Sequence, residues 1–294
     1  MHVTVLGAGT MGHGIAQVSA MGDHTVTLRD IDSSLVSEGI EAIRSNLQGG
    51  VERGKLTEAE MASALDNIAG ETELESAVRD TDLVVEAVPE DLELKKDVLT
   101  DAEAAADDDV TLATNTSSLS VTELASALER PQGLIGLHFF NPVHIMGLVE
   151  VIVGERTSDS TQALATEFVD SIGKTSVVVQ DTPGFASSRL GVALGVEAIR
   201  MVEEGVGSPR DIDNAMELGY NHPMGPLELT DVIGLDVRLD ILKYLRTELG
   251  ERFKPPQLLK RKVRAGKVGK KSGEGFYVWE DGEPVGMSGE WGDR

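Results

Sequence analysis

The chain has 294 residues, 40% of them hydrophobic, and no cysteine, which excludes disulfides, thiolate catalysis and cysteine metal sites. Its length is enough for two ordinary domains with buried cores. Fifty Asp and Glu against 26 Lys and Arg give a net charge of −24, a balance that repels nucleic acid and anionic membranes. The acids are scattered through periodic apolar segments, and runs such as Asp107–Asp109 read as solvated faces, so the chain is folded rather than a disordered acidic tail. Two explanations of the charge are open, and the first is the preferred one. One is adaptation to high salt, where screening removes self-repulsion beyond a few ångströms; the other is a very acidic protein in ordinary surroundings. No run approaches the ~18 apolar residues of a membrane span. The first strand starts at Val3, which leaves no room for a secretory leader, so the cytoplasm is the expected location.

Taken in chain order, Val3–Leu6 is a β-branched run that stops at glycine and reads as a buried strand. Met11–Met21 has helical spacing and Thr25–Leu28 is a second strand. Residues 33–66 read as helical, broken at Gln48-Gly49-Gly50. Asp82–Val88 is almost continuously apolar, as expected of a strand covered on both faces. A helix over Leu92–Ala106, a strand over Val110–Thr114 and a helix over 120–128 follow, with Ser120 and Glu123 in capping-box spacing. Leu134–Phe139, Leu148–Val153 and Ser176–Gln180 complete the strands. Strand and helix alternate throughout, which predicts an α/β, Rossmann-like, doubly wound and mostly parallel sheet. After Asp181-Thr182-Pro183-Gly184 the pattern turns helical. Leu190–Glu203 is apolar nearly all round and is expected to be buried, while Ser208-Pro209 and Pro226 open further helices. The expected division is a sheet domain over 1–183, an all-α carboxyl-terminal domain over 184–281 and a frayed tail over 282–294.

Gly7-Ala8-Gly9-Thr10-Met11-Gly12 is G-x-G-x-x-G between a strand and a helix, the context a dinucleotide site requires. Gly7 makes the turn, Gly9 lets a pyrophosphate approach the backbone, and Gly12 lets helix pack on strand, with Thr10 and Met11 counted as cofactor contacts between them. Asp30 ends the second strand, where a carboxylate accepts from ribose hydroxyls and repels a 2′-phosphate. Arg29 beside it would receive that phosphate if it turned inward. NAD is therefore favoured over NADP, with that margin left open.

His138 and Glu150 lie on two strands joined by a turn that can bring them together. A carboxylate against an imidazole orients the ring and stabilises its cation, which suits a general base for a hydroxyl proton. The competing reading is a tethered core histidine. A glutamate inside an apolar strand speaks against it, because burial without a partner costs on the order of 2–7 kcal/mol even for neutral polar groups. Ser117 lies at the carboxyl end of a strand, where ligands gather, and is equally well read as a helix cap. His2, His13, His24, His144 and His222 read as loop residues, and no pair has metal-site spacing.

Six longer motifs resemble one family. They are Val84-Val85-Glu86-Ala87, Asn115-Thr116-Ser117-Ser118, His138-Phe139-Phe140-Asn141-Pro142, Asp181-Thr182-Pro183-Gly184-Phe185, His222-Pro223-Met224-Gly225-Pro226 and the run from Gly269 to Tyr277. With the glycine turn, they make the chain similar to the NAD-dependent (S)-3-hydroxyacyl-CoA dehydrogenases, including the 3-hydroxybutyryl-CoA type, from Val3 to about Trp279. The resemblance implies His138 as catalytic base paired with Glu150, and Ser117 touching both the substrate oxygen and the nicotinamide. It implies Glu90, Lys95 and Asn141 at the NAD site, Asn141 also toward the substrate, and Lys271 reaching the cofactor from the carboxyl-terminal segment. It also implies an acyl-CoA thioester substrate, a homodimer built on the helical domain, and a role in fatty-acid β-oxidation. Ser188 stands where the family usually has a substrate-holding asparagine. Two further readings remain: an NAD-dependent dehydrogenase of a small hydroxy acid without CoA, and an NAD-binding protein without chemistry.

Overall fold

The alternation of short apolar strands with amphipathic helices builds one sheet. A computed structural model describes residues 1–289. The chain divides into a unit over Met1–Phe185 and a second one from Ala186.

The first unit runs β1 (His2–Leu6), α1 (Thr10–Met21), β2 (Thr25–Arg29), α2 (Ser33–Glu52), α3 (Glu58–Asp66), β3 (Ile68–Glu71), α4 (Leu74–Ala77), β4 (Leu83–Glu86), α5 (Leu92–Ala105), β5 (Thr111–Thr114), α6 (Val121–Ala125), β6 (Leu134–Phe139), β7 (Leu148–Val153), α7 (Asp159–Ser171) and β8 (Thr175–Gln180). The eight strands form one sheet in the order β3-β2-β1-β4-β5-β6-β7-β8. All neighbours are parallel except β6 and β7, which are antiparallel. Alternate side chains explain the continuous apolar runs. Val3, Val5, Leu83 and Val85 enter one buried cluster, while Leu6, Val84 and Leu112 enter another. Each such side chain, fully buried, contributes roughly 1.5–3 kcal/mol.

Two local expectations fail here. The helix α2 passes through Gly49 and Gly50 without breaking, and its reversal comes at Arg53-Gly54, with Gly54 at φ +67°. Gly50 serves packing instead: a Cβ there would stand 2.8 Å from Leu56 Cδ1. Strand β3 gives no strand signal in sequence, because Ile-Ala-Gly-Glu lacks β-branched density. It forms as a parallel edge strand on β2, with Gly70 admitting Val36 above it.

The second unit contains α8 (Ser187–Glu203), α9 (Pro209–Tyr220), α10 (Pro226–Ile233), α11 (Leu235–Leu249), α12 (Gln257–Arg264), β9 (Tyr277–Glu280) and β10 (Glu283–Met287). It is therefore not all-α. The segment expected to fray from residue 282 pairs as an antiparallel hairpin with β9, and residues 290–294 lie outside the described range. Helix α8 is not buried all round either: Val192, Val196 and Ile199 face the core, and Leu190 is 71% exposed.

Two buried carboxylates organise this unit. Asp213 accepts from the amides of Leu227 and Glu228 and from the Tyr277 hydroxyl. Asp231 is fully buried and accepts from Phe276 N at 2.8 Å, Tyr277 N at 2.9 Å and Trp279 Nε1 at 3.0 Å. Burial pushes the pKa of both carboxyls up, against the hydrogen bonds that pull it down. Gly275 is required beside Asp231, since a Cβ would come 2.2 Å from its Oδ1. Replacing Asp231 with alanine strands three donors, so urea unfolding of Asp231→Ala is expected to show a loss of about 3 kcal/mol or more. An unchanged midpoint would mean that these donors find other partners.

Candidate active site

The carboxyl ends of five neighbouring strands, β1, β2, β4, β5 and β6, open into one cleft of about 870 Å³. It lies where the strand order reverses between β1 and β4, the place where open α/β sheets bind ligands.

The glycine turn after β1 forms one wall. Gly7 adopts φ +104°, and a Cβ on it would meet Ala87 O at 2.8 Å. A Cβ on Gly12 would overlap Gly7 O at 1.7 Å, so this glycine lets α1 return against the strand; it does not line the cleft. Gly9 is different: it lines the cleft, and no atom lies within 4 Å of a Cβ built there. That space suits a group lying against the backbone. Thr10 and Met11 line the cleft next to it. Asp30 fastens the turn to the end of β2, accepting from Ala8 N through Oδ2 and from Ile31 N through Oδ1, both at 2.7 Å. Each oxygen keeps a lone pair for a ligand hydroxyl. Arg29 Nε donates to Thr72 O at 3.0 Å, which ties the guanidinium to the chain after β3. Ile31, Leu35 and Leu94 give the cleft an apolar end.

A buried ionic relay supports the floor. Glu86, fully buried at the end of β4, accepts from Lys95 Nζ and Val88 N at 2.7 Å and from Thr114 Oγ1 at 2.6 Å. Lys95 is also fully buried, and its ammonium stands 3.5 Å from Glu90 Oε2, beside the cleft lining. Glu90 does line the cleft. Its Oε1 accepts from Thr116 Oγ1, from the amides of Ser117 and Ser118, and from both serine hydroxyls. Burial raises the Glu90 carboxyl, but Thr116, Lys95 and Ser117 outweigh it and hold the pKa below the usual glutamate value.

Ser117 is not a helix cap. Ser120 caps α6 by accepting from Glu123 N, and Thr116 Oγ1 accepts from Ser118 N and Leu119 N. Ser117 is exposed in the cleft, with its hydroxyl 3.2 Å from Glu90.

His138 and Glu150 are register partners across β6 and β7. His138 Nδ1 lies 2.8 Å from Glu150 Oε2, with the histidine side chain 10% and the glutamate side chain 1% exposed. A carboxylate only accepts, so Nδ1 carries the proton and Nε2 is left as the basic nitrogen. The Phe140 ring packs 4.4 Å from the imidazole, centre to centre, and Phe185 stands at 5.9 Å. Asn141 lines the cleft one residue beyond Phe140. Asn115 Oδ1 accepts from Phe139 N and so ties the end of β5 to β6.

Ser188 and Lys271 belong to the second unit. Ser188 is half-buried in the first turn of α8, and Lys271 Nζ donates to Asp236 Oδ2 at 2.7 Å. Glu86 and Asn115 stand in motifs quoted from the sequence, which gives neither a role at the site. A glutamate ending the apolar run Leu83–Glu86 is the same signal that marked Glu150. No cluster of three potential metal ligands occurs among the described residues.

Known proteins match this architecture from end to end. Residues 2–182 match the 3-hydroxyacyl-CoA dehydrogenase NAD binding domain, and residues 184–279 match the carboxyl-terminal domain of the same enzymes. The chain belongs to the 3-hydroxyacyl-CoA dehydrogenase family. It is 42% identical to a probable 3-hydroxybutyryl-CoA dehydrogenase of Bacillus subtilis over 95% of this chain and 97% of that one. It is 43% identical to a 3-hydroxybutyryl-CoA dehydrogenase of Clostridioides difficile, over 94% and 99%. The crystal structure of (S)-3-hydroxybutyryl-CoA dehydrogenase from Ralstonia eutropha superposes with a TM-score of 0.92 at 41% identity, over 95% and 99%. The sheet unit is thus the NAD-binding domain of a 3-hydroxyacyl-CoA dehydrogenase fold, and the open backbone at Gly9 fits that cofactor.

The two glycines separate binding from folding. Gly9→Ala is expected to keep the unfolding midpoint, since the site is open and its φ of −66° suits alanine, while NADH affinity drops about tenfold or more. Gly12→Ala is expected to cost about 3 kcal/mol of stability. Fluorescence titration and urea unfolding of both variants check the pair.

Proposed function

We propose that this protein interconverts (S)-3-hydroxyacyl-CoA and 3-ketoacyl-CoA with NAD, using His138 as the base. The observation that carries this reading is the buried His138–Glu150 pair, at 2.8 Å, on the wall of the cleft that holds the glycine turn. In oxidation, Nε2 takes the proton of the substrate hydroxyl while Nδ1–H stays on Glu150, which stabilises the imidazolium. In reduction, the same imidazolium returns a proton to the ketone oxygen. Bound NAD supplies the acceptor, and NADH the donor, of the hydride. Ser117 donates to the reacting oxygen, held in place by Glu90. Gly7, Gly9, Thr10, Met11 and Asp30 hold the adenosine and pyrophosphate, with Gly12 setting the turn. Asn141 meets the nicotinamide and the substrate, and Lys271 and Ser188 keep the cofactor and substrate roles that the family resemblance implies. Ser188 offers one hydroxyl where an amide is usual, and it favours a second substrate reading, a small hydroxy acid without CoA.

We further infer a homodimer, high-salt adaptation, a cytoplasmic location and service in fatty-acid β-oxidation. The dimer reading is supported by α9, α10 and α11, which leave Leu218 85% and Tyr220 75% exposed, along with Val232 and Val237. The salt reading is supported by the charge of −24.

Purified protein in high salt is expected to oxidise NADH with acetoacetyl-CoA. His138→Gln should lower kcat about a thousandfold and Glu150→Gln about a hundredfold. Folded protein without turnover, or full activity in His138→Gln, would sink the proposal; faster turnover of free 3-hydroxybutyrate would move it to the second substrate. Sedimentation should give the mass of two 31.3 kDa chains, and a monomer contradicts the dimer.

A further inference from the structure

We propose that Lys174 is a positioning residue for cofactor binding, its ammonium clamping the loop that carries Asn141 into the cleft. The inference rests on the NAD reading of that cleft.

The loop leaves β6 directly after the catalytic strand and returns as β7. It brings Phe140 onto the His138 ring and Asn141 to the cleft wall. Its tip is not held by packing, since Ile145 is 68% and Met146 38% exposed. Beyond its own turn bonds to Pro142 O, it is tied to Lys174, the residue before the distant strand β8, and to Thr175, the first residue of that strand. Lys174 Nζ donates to Val143 O and to Met146 O, both at 2.7 Å, and Thr175 N donates to Gly147 O at 2.7 Å. Among the described residues, the Lys174 ammonium meets these two main-chain carbonyls and no Asp or Glu. A half-buried cation in so acidic a protein is ordinarily matched to a carboxylate. Here its charge strengthens two hydrogen bonds to one loop.

The clamp reaches the cofactor turn through Val143. That side chain is 2% exposed and lies against Gly14 of α1, where a Cβ would stand 2.8 Å from Val143 Cβ. Helix α1 starts at the glycine turn. Lys174 therefore sets one loop against both walls of the cleft, with Asn141 on one side and the phosphate-binding helix on the other. Displacement of about an ångström at such a group is enough to lose much of its effect.

The test compares wild type, K174M and K174R by NADH fluorescence titration, steady-state kinetics with acetoacetyl-CoA, and hydrogen exchange over residues 140–147. K174M keeps the aliphatic stem and should fold. It is expected to weaken NADH binding about tenfold, to lower kcat at saturating NADH by less than about threefold, and to speed exchange in the loop. K174R, which can still donate to two carbonyls, should recover NADH affinity to within about threefold of wild type. Wild-type affinity in K174M overturns the clamp. So does a K174R that binds NADH as poorly as K174M with an unaltered loop, or a loss confined to thermal stability. If K174M does not fold, K174R decides: weak binding in a folded K174R with slow loop exchange overturns the clamp, and near-wild-type binding supports it. Wild-type protein that fails to bind NADH overturns the cofactor reading and the clamp's role with it.

Discussion

A carboxylate buried inside an apolar strand must be met by a donor, and Glu150 is met by His138. The rest of the site depends on how the backbone brings that about. In the parallel part of the sheet, neighbouring strands are joined by long crossovers, and their facing residues are far apart in sequence. Strands β6 and β7 instead pair antiparallel, so residues only twelve apart become register partners. This one reversal in the sheet puts a charged partner behind the imidazole while its other nitrogen stays available. It also creates the loop that carries Asn141, so the base and one wall of the cofactor cleft share a hairpin.

The same rule holds elsewhere in the site. The chain has 50 acidic residues, yet Glu86 and Glu150 matter because each is taken out of water and answered, and Glu90, which stays open to the cleft, is answered as well. Glu86 answers Lys95, Lys95 stands beside Glu90, and Glu90 gathers the hydroxyls of 116–118 and the amides of Ser117 and Ser118 onto one oxygen. Breaking such a pair by removing one partner leaves a charge in low dielectric, which costs about 3–5 kcal/mol. The surface acids carry no such obligation and are free to vary with solvent.

The glycine turn, Asp30 and the His138–Glu150 pair could be read in the sequence because each rests on a local constraint. Gly7 needs a positive φ, and Glu150 interrupts an apolar run. What escaped reading depends on distant packing. The double glycine at 49–50 looks like a break, but Leu56 fills the space above it and the helix continues. The segment after residue 282 looks like a polar tail, but its backbone finds β9. The resemblance puts Lys95 at the NAD site, but its full burial against Glu86 is not visible in the sequence. Lys174 gives no sign in sequence of the two carbonyls it holds, since they lie about thirty residues upstream.

The central claim is that Glu150 holds His138 with its proton on Nδ1, so that Nε2 is the working base. A proton–nitrogen-15 correlation spectrum of histidine-labelled protein, assigned by comparison with His138→Gln, reads this directly at a pH where the ring is neutral. The expected result is a His138 ring protonated on Nδ1 with an unprotonated Nε2, and a mixed or reversed tautomer in Glu150→Gln. A wild-type ring with its proton on Nε2 would contradict it.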